Sequence, residues 1–179
     1  MLIDSHCHLD RLDLAAHGGS LDAALEAARA AGVGHFLCIG VSADNAATVK
    51  SLAERYVDVD CSVGVHPLDV QPGAAPALDW LLGELNHPRV VAIGETGLDY
   101  HYEPEAADVQ QASFRLHLEA ARPMTVKIAG DTIRFQSGET VHTESSRKFT
   151  ETMIQDLARE SGWTLIRFDV GPAPSVALA

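Results

Sequence analysis

Two histidines flank a single cysteine near the start of the sequence, in Asp4-Ser5-His6-Cys7-His8-Leu9-Asp10. In an extended segment, residues i and i+2 project to the same side. His6 and His8 can then reach one cation while Cys7 faces the other way. Neutral imidazole suits zinc and other borderline divalent metals. An HxH pair alone is weakly specific, and packed or surface histidines are the competing reading. Its place at the end of an expected strand, with Asp4 and Asp10 nearby, favours metal. Glu95 lies in Ile93-Gly94-Glu95-Thr96-Gly97-Leu98-Asp99-Tyr100, just past a buried run and between two glycines. Packing gives no reason for a carboxylate there. It reads as a metal ligand able to bridge two cations, which would clamp a phosphodiester and activate water. The alternative is a solvated loop carboxylate. His66, in Gly64-Val65-His66-Pro67, ends another apolar run. A metal ligand, a phosphate contact and a structural histidine are all open, with a substrate contact favoured. Asp99 is grouped with it, either orienting a ligand or serving a turn. His17, His35, His87, His101 and His117 have no evident partners and read as surface or helix residues.

These groups need a scaffold that brings strand ends together. The chain alternates strand and helix signals four times. Leu2-Ile3 opens a short strand, and residues 20–31 read as a helix with Ser20 as N-cap and Gly32 as its stop. Residues 35–41, 57–65 and 90–93 are near-continuous apolar strands; 43–55, 75–86 and 104–121 are helices. Buried strands separated by amphipathic helices mean an α/β fold with a parallel sheet and helices outside. Four such βα units are half of an eightfold TIM-like barrel, which typically needs about 250 residues. The candidate residues fall at the C-terminal ends of the strands, where barrel enzymes keep their sites. From Pro123 the rhythm changes. A hairpin over residues 124–135, a loop to Lys148, a helix over 149–160 and strands at 163–170 and 175–178 form a small α+β segment. The expected division is therefore residues 1–122, a partial barrel, and residues 123–179.

Of the 179 residues, 46% are hydrophobic, enough for one domain with a core plus a small appendage. No apolar run reaches the roughly 18 residues of a membrane span, and the start lacks a signal-peptide pattern. A cytoplasmic protein is the expectation. Cys7, Cys38 and Cys61 show no CxxC spacing and are expected reduced and mostly buried. Residues 1–122 carry a net charge of −11, from 18 acidic and 7 basic side chains. Such a surface repels a phosphate backbone, so attraction to nucleic acid must come from bound cations.

Met1-Leu2-Ile3-Asp4-Ser5-His6-Cys7-His8-Leu9-Asp10, Gly64-Val65-His66-Pro67, Ile93 to Tyr100, and Gln110-Gln111 through Phe114 to His117-Leu118 resemble, in order, the motifs of TatD-type metal-dependent deoxyribonucleases. The resemblance implies an amidohydrolase-like (β/α) barrel and a divalent-metal hydrolase (Zn, Mg or Mn, one or two ions) acting on DNA. By it, His6, His8 and Glu95 would be metal ligands and His66 a substrate-side residue. The family pattern continues with a fifth strand ending in a His, then another His and a late Asp. Residues 123–179 do not supply these in recognisable form. Val141-His142-Thr143 looks superficially like the fifth-strand motif but follows a hairpin within a polar stretch, so His142 is left out of the ligand set.

Residues 124–179 resemble instead the C-terminal segment of the histidine N-alpha-methyltransferases of ergothioneine synthesis. Glu144 and Ser146 match the pair that holds the substrate imidazole, and a carboxylate and a hydroxyl two residues apart can serve both ring nitrogens. A capped polar loop is the competing reading. No glycine-rich nucleotide fingerprint is present, so methyl transfer by this chain alone is not expected. Three readings follow. The chain is a metal-dependent nuclease, truncated and of weak or no activity; a non-catalytic junction of two fragments; or a methyltransferase remnant binding an imidazole compound. Two open sheet edges also raise a homo-oligomer.

Overall fold

The computed structural model describes residues 2–70, 76–121, 124–128, 131–137, 139, 150–162, 164, 166, 169–170 and 177–178. It divides into two compact units, Met1–Val141 and His142–Ala179.

The first unit holds four parallel strands in sequential order: β1 (Leu2–Cys7), β2 (Val33–Cys38), β3 (Val59–Val63) and β4 (Val90–Ile93). Between and after them come α1 (Leu21–Ala30), α2 (Ala43–Arg55), α3 (Leu78–Glu84) and α4 (Ala107–Ala120). This is the βα rhythm expected from the sequence. The sheet does not close: β1 and β4 are its edges among the described residues. The hairpin follows as β5 (Met124–Ile128) against β6 (Asp131–Phe135), antiparallel, and contacts place it with the first unit. In the second unit lie α5 (Glu151–Glu160) and the short antiparallel pair β7 (Asp169–Val170) and β8 (Ala177–Leu178). His142, Glu144 and Ser146 lie outside the described residues.

Local chemistry sets the helix ends. Ser20 Oγ accepts the Ala23 amide at 3.2 Å, and Ser42 does the same for Asn45 while the Asn45 side chain returns to the Ser42 amide. Alternate residues of β2 and β3, namely Phe36, Cys38, Val59 and Cys61, pack with Leu25, Val49 and Ala53 of the helices. A second cluster joins Ala46, Val63, Leu81 and Ala120. The three cysteines are free thiols. Burial pushes the thiols of Cys7 and Cys61 up to about 12 and that of Cys38 to about 11. They are protonated packing groups, and Cys7 donates to the Leu37 carbonyl at 3.3 Å.

Arg89 ties the sheet to the end of α2. Its Nε donates to Ala53 O at 3.0 Å, its Nη2 to the carbonyls of Tyr56, Val57 and Val59, and its Nη1 lies 3.2 Å from Asp60. These carbonyls include helix-end acceptors with no partner inside the helix. Arg89→Ala is expected to cost about 2–3 kcal/mol, because charged-group hydrogen bonds are lost and half-buried acceptors are left behind. Urea unfolding measures it; a loss below about 0.5 kcal/mol would count against the clamp.

Helix α4 buries Gln110, Ser113, His117 and Ala120. His117 lies in a helix, as expected, but is 1% exposed and so is no surface residue. Burial lowers its pKa from the ordinary 6.5, although its hydrogen bond to the Ser113 carbonyl opposes this. The folded state therefore binds this proton less readily than the unfolded chain. The stability due to neutral His117 is complete above pH 6.5 and declines as pH falls through the lowered folded value. Urea midpoints at about pH 7.5 and about pH 5.5 should differ in the wild type, and less so in His117→Gln.

Candidate metal centre

The four parallel strands end side by side, and loops crossing those ends assemble the site. Ile39 N donates to Cys7 O at 2.8 Å, His66 N to Val41 O at 2.7 Å, and Gly94 N to Val63 O at 2.9 Å. Glu95 N donates to Gly40 O at 2.6 Å, joining the ends of β4 and β2 across β3. Beneath this crossing, Ser62 Oγ donates to Gly94 O at 2.7 Å and accepts from Gly40 N at 3.1 Å. Gly64 lies under it too. A Cβ there would sit 2.6 Å from Gly94 C and 2.9 Å from Glu95 O, so only glycine fits.

The crossing carries Glu95 over to the end of β1. Its Oε2 lies 3.5 Å from His6 Nε2 and 3.9 Å from His8 Nε2, and its Oε1 lies 3.9 Å from His66 Nε2. Donor atoms of His6, His8 and Glu95 all fall within 4.8 Å of one another, and all three residues are half-buried. The separations exceed a direct hydrogen bond of about 2.7–3.2 Å. They are close to the roughly 3–3.5 Å between two ligand atoms each bound at about 2.1 Å to one cation. The imidazoles meet edge to face, with ring centroids 5.3 Å apart. His8 Nδ1 and Asp10 Oδ1 are buried with no hydrogen-bond partner among the described residues. A cation on His8 Nε2 would set the ring's proton on Nδ1. Two imidazole nitrogens and a carboxylate oxygen thus fit a divalent metal.

Beside the cluster opens a cavity of about 270 Å³ lined by His8, Arg11, Val41, His66, Leu68, Asp69 and Glu95. The His66 ring on its wall is held by a local hydrogen bond. Its Nδ1 accepts the Leu68 amide at 3.2 Å, so the proton of the neutral ring sits on Nε2, the nitrogen facing Glu95. In that tautomer Nε2 carries a hydrogen and offers a cation no free lone pair.

Asp99 stands apart from the donor cluster. Its Oδ1 accepts the amides of His101 and Tyr102, each at 2.9 Å, and Gln110 clamps its backbone on both sides. Burial alone would raise its pKa, but those amides, with His101 and His66 nearby, bring it below the ordinary carboxylate value. The carboxylate thus closes the turn that follows it. His35 pairs with Asp60 at 2.9 Å and His87 with Glu54 at 3.0 Å, while His101 packs edge-on against Tyr102. Arg11, Ser62 and Asp69 were not singled out in the sequence, and Gly64 and His117 stood there only inside motifs, with no role of their own. A serine inside the apolar run Cys61-Ser62-Val63 was the one local signal available.

A family model described as TatD related DNase matches residues 3–129. A second, described as histidine-specific methyltransferase, SAM-dependent, matches residues 99–172. The metal-dependent hydrolase YcfH of Escherichia coli (strain K12), itself uncharacterized, is 33% identical over 156 residues, covering 87% of this chain and 54% of its own length. The 3'-5' ssDNA/RNA exonuclease TatD of Salmonella typhimurium is 32% identical over 99 residues, covering 55% of this chain and 38% of its own. In the crystal structure of YJJV, a TatD homolog from Escherichia coli K12, the likeness has a TM-score of 0.56 at 32% identity. It covers 66% of this chain and 45% of that one. The chain spans about half the length of curated relatives such as YcfH. With that match over residues 3–129, and the four βα units beneath it, the chain belongs to the TatD related DNase family.

Proposed function

We propose that the first unit is a metal-dependent phosphodiester hydrolase acting on DNA, with His6, His8 and Glu95 as its metal ligands. The convergence of these three donors at one end of the sheet carries the reading. Relatives named as metal-dependent hydrolases and as a 3'-5' ssDNA/RNA exonuclease support it. Two imidazoles with one carboxylate would suit Zn better than Mg or Mn, which prefer oxygen ligands, and Glu95 would be the ligand able to serve a second ion. A bound divalent cation would polarise a phosphoryl oxygen and make water more acidic. The chain's own residues do the rest. His66 donates its Nε2 proton to a phosphate oxygen in the cavity, and Arg11, on the cavity wall, adds positive charge beside the substrate. Asp99 holds the turn after β4 in shape, and so acts on substrate only through that loop. The free thiols, Cys38 and Cys61 buried and Cys7 half-buried, suit a reducing cytoplasm. A second copy pairing at the edges of β1 and β4 would complete the sheet.

The test is metal content after purification, followed by cleavage of a single-stranded oligonucleotide with added Zn or Mn. The proposal expects metal retained in the wild type, reduced in His6→Ala, and cleavage that a chelator stops. Equally low metal in both proteins would overturn the ligand assignment. Retained metal without cleavage would leave a metal-binding fragment without catalysis. The match over residues 99–172 favours a second reading of the other unit, an imidazole compound held by Glu144 and Ser146. Thermal stabilisation by imidazole that is lost in Glu144→Ala would support it.

A further inference from the structure

His117 has a hydrogen bond on each ring nitrogen. Nδ1 is 2.7 Å from the Ser113 carbonyl oxygen, and Nε2 is 3.0 Å from the Val65 amide. A carbonyl only accepts and an amide N–H only donates. The neutral ring therefore donates from Nδ1 and accepts at Nε2. Val65 lies two residues beyond Val63, the last β3 residue paired with β4. Past the ladder, a helix side chain takes the place of a strand neighbour. The next amide, that of His66, goes to Val41 O at 2.7 Å. Two consecutive amides are thus held by partners on different elements, α4 and the loop after β2. The His66 ring follows at once, with Nδ1 on the Leu68 amide and Nε2 facing Glu95.

We propose that His117 is a positioning residue for His66: through the Val65 amide, its neutral ring holds the His66 peptide so that the Nε2 proton points into the cavity beside Glu95. This rests on the reading of His66 as donor to a bound phosphoryl group. Burial supports the neutral ring, since it disfavours the imidazolium that could not accept from Val65. A merely space-filling residue needs the right volume in the core. A positioning residue needs an acceptor at the Nε2 position. Leucine supplies volume without an acceptor. Glutamine carries its amide oxygen about as far out as Nε2 and can accept from Val65. Asparagine stops near the Nδ1 position and cannot reach.

The experiment compares wild type, His117→Leu and His117→Gln by three readouts. The tautomer of His66 is read from its ring ¹⁵N shifts, with His66→Asn for assignment. Metal content per chain is measured on the same samples, and kcat and KM are taken with bis(p-nitrophenyl) phosphate. His117→Leu is expected to lose the single Nε2–H tautomer of His66 and to lower kcat by about 10- to 100-fold, with KM and metal content little changed. His117→Gln is expected to keep the tautomer and most of kcat. Should His117→Leu not fold, His117→Asn replaces it as the variant without an acceptor. A folded Leu or Asn variant with the wild-type His66 tautomer would overturn the proposal, as would a folded Gln variant that loses it. If the wild type cleaves no phosphodiester, the hydrolase reading fails by itself, and the ¹⁵N comparison still decides the positioning role.

Discussion

If His6, His8 and Glu95 hold a cation as proposed, Glu95→Gln is expected to empty that site while leaving the fold standing. Among the described residues Glu95 is the one carboxylate in the donor cluster, and its two oxygens face three histidines: Oε2 toward His6 and His8, Oε1 toward His66. Glutamine keeps the shape and removes the charge. Two neutral imidazoles then remain, and neither offsets the charge of a divalent ion. Changing a residue that merely supports a metal ligand costs about 10- to 100-fold in affinity, so loss of the ligand carboxylate should cost at least about 100-fold. The effect is readable without any assay of activity. A cation at about 100 times Kd stabilises the folded state by about 2.7 kcal/mol, whereas a site 100-fold weaker keeps about 0.4 kcal/mol. Added Zn or Mn should therefore raise the melting temperature of the wild type and leave that of Glu95→Gln nearly unchanged. Metal content after dialysis should agree. A variant that still holds its cation and melts with the wild-type shift would remove Glu95 from the ligand set.

What the sequence made legible follows from where the information lies. Strands and helices rest on local signals. Ser20 caps α1 as its position implies, and the apolar runs of β2, β3 and β4 become parallel strands, with β3 the most buried and β4 only partly so. The HxH pair was legible for the same reason, since residues two apart in an extended stretch, here one in β1 and one just past its end, need no tertiary information to share a side. Glu95 was found from its context just past a strand, but its distance to His6 depends on the loop crossing from β4 to β2. No window of sequence contains that crossing. His117 was hidden by its surroundings. Gln110, Ser113, His117 and Ala120 follow a helical spacing, but three of them are polar, so the buried face of α4 looks like a surface face. Each of these polar groups has a tertiary reason to be inside. Gln110 holds the backbone of Asp99, and His117 holds that of Val65. The resemblance of residues 124–179 to a methyltransferase segment reappears as a family match, while Glu144 and Ser146 stay outside the described residues.

Gly64→Ala is expected to disable the proposed metal centre without touching any of its three proposed ligands. Gly64 lies where the Gly94-Glu95 backbone passes over the end of β3. A Cβ at this position would come within 2.6 Å of Gly94 C, 2.7 Å of Gly94 Cα and 2.9 Å of Glu95 O. All three are backbone atoms, so no side chain can swing aside. One of the two chains must move. Ser62 Oγ fixes Gly94 from below, and the Glu95 amide is fixed on Gly40 O, so the shift is passed on to the Glu95 carboxylate. Overpacking of this kind costs about 1–3 kcal/mol. The larger effect falls on the site, where a displacement of about 1 Å costs on the order of 100-fold in function. The expected pattern is a lower melting temperature together with a metal-induced shift nearly as small as in Glu95→Gln. Gly83→Ala is the matched control. It sits in α3 with nothing within 4 Å of a new Cβ, so it should gain about 0.5–1 kcal/mol from helix propensity and keep the full metal response. The comparison separates two accounts of Gly64. If Gly64→Ala loses stability yet binds metal like the wild type, the strain is absorbed away from Glu95, and the loop crossing does not position the ligand. If stability and metal response fall together while Gly83→Ala keeps both, the crossing over Gly64 is what places the carboxylate of Glu95 opposite His6 and His8.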